Sequence, residues 1–213
     1  MSNLSTFDAA FARLPLVAIL RGLRPEEAEG VGEALVEAGF SLIEVPLNSP
    51  EPFNSIARLA ERLGGRAEVG AGTVLTTDAV ARVEAAGGTM IISPNADGRV
   101  IAAAAERGLV SVPGIATASE AFTALDAGAT ALKLFPAEGS SPTVLKAMRA
   151  VLPADLRVLP VGGIAPDGMA PWLAAGAAGF GLGSALYKPG MSAGQVGATA
   201  RAFVQAWKAM RPG

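Results

Sequence analysis

Residues 123–136, TALDAGATALKLFP, contain the unit whose repetition decides the fold. A helical stretch closes on Ala127-Gly128, and the apolar run Ala131 to Leu134 then reads as a short buried strand that stops at Phe135-Pro136. Glycine just past a helix end accepts the left-handed conformation that swings the chain into the next strand. The same ending recurs at Ala38-Gly39, Ala86-Gly87, Arg107-Gly108 and Ala175-Gly176.

Outward from this unit, Val-, Ile- and Leu-rich runs alternate with Ala-rich amphipathic stretches. The expected strands are Leu16 to Leu20, Leu42 to Val45, Glu68 to Ala71, Met90 to Ser93, Val110 to Val112, Ala131 to Leu134, Arg157 to Val161 and Gly179 to Leu182. Their spacing of roughly 20 to 27 residues accommodates a strand, a helix and two short loops. Eight such units predict an α/β chain folded as a (β/α)₈ TIM barrel, compact beside the usual size of about 250 residues. An open doubly wound sheet competes. Its dinucleotide-binding form expects G-x-G-x-x-G after the first strand, where Ile19-Leu20-Arg21-Gly22-Leu23 stands instead. An extra N-terminal helix is expected over Leu4 to Arg13 and a last helix over Ala193 to Met210. No linker or low-complexity segment divides the chain, so one domain is expected over residues 1–213.

Composition narrows the chemistry. With 17 Lys plus Arg against 19 Asp plus Glu, the formal charge of −2 argues against electrostatic capture of nucleic acid or an anionic membrane, and a small-molecule partner is expected. The absence of cysteine and histidine excludes disulfides, thiolate chemistry, Ser-His triads and His-ligated metals. A 51% hydrophobic chain with 17% charged residues buries a sizeable core. The uncharged stretch from Gly168 to Tyr187 is broken by Pro171 and repeated glycines, so it reads as helix, turn and strand rather than a membrane span. Met1 to Arg13 lacks a basic n-region and a long apolar run, which points to a cytoplasmic protein.

Charged residues inside apolar strands mark the chemistry of a barrel. Of four lysines, Lys146 and Lys208 lie on helical stretches and Lys188 in a Pro-Gly turn, leaving Lys133 within the sixth strand. Glu44 lies near the end of the second. Both strands are even, so the two side chains can share an interior layer. A structural ion pair is one account, although buried pairs often stabilise no better than apolar replacements. Covalent catalysis is the other: an unprotonated lysine attacks a carbonyl to form a Schiff base, and the carboxylate moves protons. Free lysine titrates near ~10.4, so only about one in ~2,500 is nucleophilic at neutral pH. Leu132, Leu134, Phe135 and a nearby Arg21 push that value down, while Glu44 opposes them.

Arg21, ending the first strand, can hold a carboxylate bidentately, and Gly72 and Thr73 after the third can add a backbone amide and a hydroxyl. Alternatively, Arg21 belongs to a rim salt bridge. The seventh and eighth strands run into Val161-Gly162-Gly163-Ile164 and Gly181-Leu182-Gly183-Ser184. Barrels often bind phosphate with these two loops. The expected ligand has a phosphate at one end, a carboxylate at the other and a carbonyl between them.

These residues resemble the bacterial class I aldolases of 2-keto-3-deoxy-6-phospho sugar acids. The resemblance runs from Leu16 to about Trp207 and rests on Ala18-Ile19-Leu20-Arg21-Gly22, Ile43-Glu44-Val45, Val69-Gly70-Ala71-Gly72-Thr73-Val74-Leu75, Ser93-Pro94-Asn95, Val112-Pro113-Gly114, Lys133-Leu134-Phe135-Pro136-Ala137-Glu138 and Gly162-Gly163-Ile164. It implies a homotrimeric barrel without metal or other cofactor, a Schiff-base lysine at Lys133 and a catalytic glutamate at Glu44. Carboxylate contacts at Arg21 and Thr73 are implied as well, with phosphate contacts around Gly162, Gly163, Gly183 and Ser184. Phe135 would wall the imine, and Pro94 would shape the carboxylate end. Asn48, Val161 and Phe122-Thr123-Ala124-Leu125 resemble the galactonate-type branch; gluconate-type members carry arginine and threonine where Asn48 and Val161 stand. The implied reaction yields pyruvate and glyceraldehyde 3-phosphate. The alternatives are a gluconate-type aldolase, a phosphate-binding barrel isomerase and a non-catalytic phosphosugar sensor.

Overall fold

The computed structural model describes residues 2–210, and the two ends of the domain expected over 1–213 lie outside the described residues. Helix α1 (Asn3–Arg13) precedes β1 (Leu16–Ile19), α2 (Pro25–Ala38), β2 (Leu42–Pro46), α3 (Pro52–Leu63), β3 (Glu68–Gly72), α4 (Thr77–Ala85), β4 (Met90–Ile92) and α5 (Gly98–Glu106). Then follow β5 (Val110–Val112), β6 (Gly114–Ile115), α6 (Ala118–Asp126), β7 (Leu132–Leu134), α7 (Pro142–Arg149), β8 (Val158–Pro160), α8 (Met169–Ala174), β9 (Phe180–Leu182) and α9 (Ala193–Met210).

All strand pairs are parallel, in the orders β5-β4-β3-β2-β1-β9 and β6-β7-β8. Two joints close them into one ring. Strands β5 and β6 are halves of a single stave interrupted at Pro113, whose ring leaves no N–H for a ladder but whose carbonyl still accepts from the Lys133 amide at 2.9 Å. Val161 bridges Gly181 and so joins the end of β8 to β9. The result is an eight-stave (β/α)₈ barrel in which Lys133 sits on the sixth stave. The sequence runs matched this layout except at the fifth stave, where Gly114–Ile115 is too short to show a period of its own.

Helix starts follow local chemistry. Thr76 and Ser141 accept hydrogen bonds from the amides of Ala79 (3.1 Å) and Val144 (3.2 Å), capping α4 and α7, and Thr117 with Glu120 forms a capping box on α6. The five helix-ending glycines named above all have positive φ, from 66° to 107°. Helix α3 buries Ile56, Leu59 and Leu63 on one face, against α2 at Gly32. A Cβ on Gly32 would stand 2.5 Å from a Leu59 methyl, so glycine sets how closely the two helices approach.

Apolar side chains form two layers. The larger lies between the outer strand faces and the helices. The smaller fills the barrel with Val17, Leu42, Met90, Val110, Ala131 and Leu159, and α1 closes its lower end with Phe7, Ala10 and Phe11. The opposite end, where the strands deliver their C-termini, is left to the loops.

Candidate active site

Strands β2 and β7 stand on opposite walls of the barrel, and both Glu44 and Lys133 project into one cavity of about 270 Å³ at its C-terminal end. Glu44 is 1% exposed and Lys133 7%. No ion pair within 4.0 Å joins them among the described residues, so the structural ion pair is not formed. Instead, acid and amine stand more than 4.0 Å apart, and the Glu44 Oε2 atom is buried without a hydrogen-bond partner among the described residues.

Burial disfavours both charges. It pushes the Glu44 carboxyl up to about 7, against the opposing pull of Lys133, Arg21 and a backbone hydrogen bond from Gly72. It also holds the Lys133 amine below its ordinary value, with Arg21 acting in the same sense and Glu44 against it. Burial thus favours the neutral form of each group, which suits a proton-transferring pair. The Lys133 Nζ lies 4.3 Å from the centroid of the Phe135 ring, which walls the amine. Gly72 fixes the acid: a Cβ there would overlap the Glu44 carboxylate, so only a residue without one lets Glu44 lie across β3.

Arg21 and Thr73 line the same cavity. The Arg21 guanidinium has no ion pair within 4.0 Å among the described residues, which leaves it open to an anionic ligand rather than tied to the rim. Thr73 adopts φ 56°, a conformation that β-branched residues rarely hold. Its neighbour keeps it there: the Val74 amide donates to Ile92 O at 3.2 Å and Ser93 Oγ donates to Val74 O at 2.7 Å. Such strain persists only where the surroundings fix it, and here it is placed in the cavity wall.

Val161, Gly162, Gly163, Gly183 and Ser184 form the other side of the cavity. Gly162 and Gly163 both have positive φ, at 119° and 63°, which turns the loop after β8 toward the loop after β9. Three residues singled out from sequence lie outside the cavity lining: Gly72, which backs the Glu44 carboxylate instead, Asn48 and Pro94. Asn48 is exposed in the turn after β2, outside the cavity lining, and Pro94 sits half-buried after β4, where its carbonyl abuts Gly114. Conversely, Glu138, Tyr187 and Lys188 line the cavity without having been assigned a part. Glu138 carried a signal only as the last residue of the Lys133 motif, and Lys188 only as a charge beside a Pro-Gly turn.

Among the described residues, no group of three or more acidic side chains is placed to hold a metal ion, and no helix is long and apolar enough to cross a membrane. The cavity thus offers a buried amine, a buried acid, an open guanidinium and a glycine-lined pocket, arranged around space for one small ligand.

Comparisons with known proteins point to one family. The family model for KDPG and KHG aldolases matches residues 7–200. The probable 2-dehydro-3-deoxy-6-phosphogalactonate aldolase of Rhizobium meliloti (strain 1021) is 51% identical over 93% of this chain and 94% of its own. The 2-dehydro-3-deoxy-6-phosphogalactonate aldolase of Escherichia coli (strain K12) is 46% identical over 92% of this chain and 96% of its own. A solved structure described as native KDPGal superposes with a TM-score of 0.91 at 46% identity, covering 93% of this chain and 96% of that one. With the match running through every stave of the barrel, the chain belongs to the family of KDPG and KHG aldolases.

Proposed function

We propose that the protein is a Schiff-base aldolase that cleaves 2-dehydro-3-deoxy-6-phosphogalactonate to pyruvate and D-glyceraldehyde 3-phosphate. The observation that carries this reading is a buried Lys133 and a buried Glu44 lining one cavity without an ion pair between them among the described residues. The 51% and 46% identities to galactonate-type aldolases favour that epimer over the gluconate one.

In this mechanism the neutral Lys133 amine adds to the C2 ketone and water leaves with a proton supplied by Glu44, giving an iminium conjugated to the bond to be broken and an ionised Glu44. Glu44 takes the C4 hydroxyl proton as the C3–C4 bond breaks. Its electron pair passes into the iminium to form an enamine, and glyceraldehyde 3-phosphate departs. Glu44 returns the proton to C3, and hydrolysis of the iminium frees pyruvate and the amine, with the released proton going back to Glu44. Arg21 and Thr73 hold the carboxylate, while the loops at Gly162-Gly163 and Gly183-Ser184 hold the phosphate. Val161, buried at the cavity wall, offers the epimeric hydroxyl an apolar surface. The iminium is the electron sink, so the reaction proceeds without a metal and survives exhaustive chelation. A cytoplasmic homotrimer accords with the family resemblance, and sedimentation of the purified chain tests the trimer.

Borohydride in the presence of pyruvate tests the central step, because reduction of the iminium leaves a stable secondary amine. Peptide mapping is expected to place the adduct on Lys133. An adduct on Lys146 or Lys188, or none with any keto acid, overturns the mechanism.

A further inference from the structure

The phosphate end of the cavity contains two charged side chains that the reaction above does not use. Lys188 follows the Gly183-Ser184 turn on the same loop, and Glu138 rides on the 3₁₀ turn Ala137–Gly139 after β7. The loop holding Lys188 is fixed on both sides. The amides of Leu186 and Tyr187 donate to Gly183 O at 2.8 and 3.0 Å, and both side chains are buried. Beyond Lys188, Pro189 packs on Gly22 so closely that a Cβ there would stand 2.7 Å from its ring. The Lys188 backbone is thereby anchored while its exposed ammonium has no ion pair within 4.0 Å among the described residues. The Glu138 carboxylate lies directly against Gly162 and Gly163, on the surface where a phosphate would rest.

A phosphate group has a charge of about −1.5 to −2, which the partial charges of backbone amides do not match unaided. Arg21 is engaged at the carboxylate end and Lys133 at the carbonyl, so among the described residues that line the cavity one cation is left, Lys188. We infer that Lys188 is the side chain that receives the ligand's phosphate, and that Glu138 opposes it as a resident negative charge on the same seat. This assignment rests on the aldolase reading, in which the ligand has a phosphate at that end. Together the two residues set how strongly the enzyme prefers a phosphorylated aldehyde.

The test is run in the synthetic direction, condensing pyruvate with D-glyceraldehyde 3-phosphate or with D-glyceraldehyde, and reads the ratio of the two kcat/KM values. Lys188→Met is expected to lower that ratio roughly tenfold, which is ~1.4 kcal/mol, as for loss of one partly exposed charge-assisted contact. Lys188→Arg should retain it to within about threefold, because arginine keeps the charge and also binds phosphate. Glu138→Gln should raise it. A merely structural role for Lys188 would slow both aldehydes alike and leave the ratio unchanged; a Lys188→Met ratio within about twofold of wild type overturns the assignment. A fall in the ratio for Glu138→Gln overturns the opposing role of the carboxylate. If the wild type condenses neither aldehyde, the aldolase reading itself fails. The Lys188 assignment is then decided by calorimetric titration with glycerol 3-phosphate: weaker binding to Lys188→Met sustains it, and equal binding overturns it.

Discussion

Glu44→Gln keeps the shape of the side chain and removes its ability to accept a proton, so cleavage is expected to fall by roughly 10² to 10⁴ while the barrel remains folded. In the wild type, a base titrating at about 7 gives kcat/KM a rising limb near that pH, and the limb should vanish in the variant. A pH–rate profile of both enzymes checks this, and a limb that persists unchanged in the variant assigns it to another group. The prediction depends on burial, since Glu44 at 1% exposure has only Gly72, Arg21 and Lys133 to offset the loss of water. Sequence set Glu44 and Lys133 on strands that share an interior, and both line one cavity, because a charge inside a strand of apolar residues is conspicuous. It could not place Glu138 and Lys188, whose own neighbours are ordinary turn residues.

Strand β3 shows how an element serves the site. Gly72→Ala adds one methyl group where the Glu44 carboxylate lies, and its φ is not positive, so the cost falls on the contact rather than on the backbone. Activity is expected to drop at least about tenfold, with a stability loss of about 1 to 3 kcal/mol. That loss should shrink in a Glu44→Ala background, because the clashing group is gone; denaturant melts of the four proteins measure the coupling. Helix α1 acts at the other end. Phe7 is 1% exposed beneath the barrel, and Phe7→Ala should cost about 3 to 5 kcal/mol, with kcat per folded molecule unchanged. An altered kcat would mean that the plug communicates with the site. Both elements were legible as helix and strand from their periodicity, and α9 begins at Ala193, where its sequence pattern does. The Gly114–Ile115 strand was not, since two residues gain their strand identity only from pairing with β7.

At the scale of the whole molecule, the displaced carboxyl of Glu44 makes stability depend on pH. The folded chain holds a proton that the unfolded chain releases above about 4.5, so stability contributed by this group falls as pH rises toward about 7 and stays low beyond it. The loss is on the order of 3 kcal/mol at most. Glu44→Gln is therefore expected to melt higher than wild type at pH 8 and level with it near pH 4; a difference independent of pH would place the cost elsewhere. Function here is obtained against stability, as is common where a buried group must change charge. What the sequence determined by itself was local and periodic: eight apolar runs, the glycines that end helices, and a lysine and a glutamate set among aliphatic residues. Those features follow from backbone sterics and from the exclusion of apolar groups from water, and both act over a few residues. Ring closure decided the rest. It left a gap instead of an ion pair between Glu44 and Lys133, put Asn48 outside the cavity despite its nearness to Glu44 in the chain, and brought Glu138 and Lys188 to one pocket. Separation across a barrel is fixed by which staves meet and at what register, and those pairings join residues far apart in sequence.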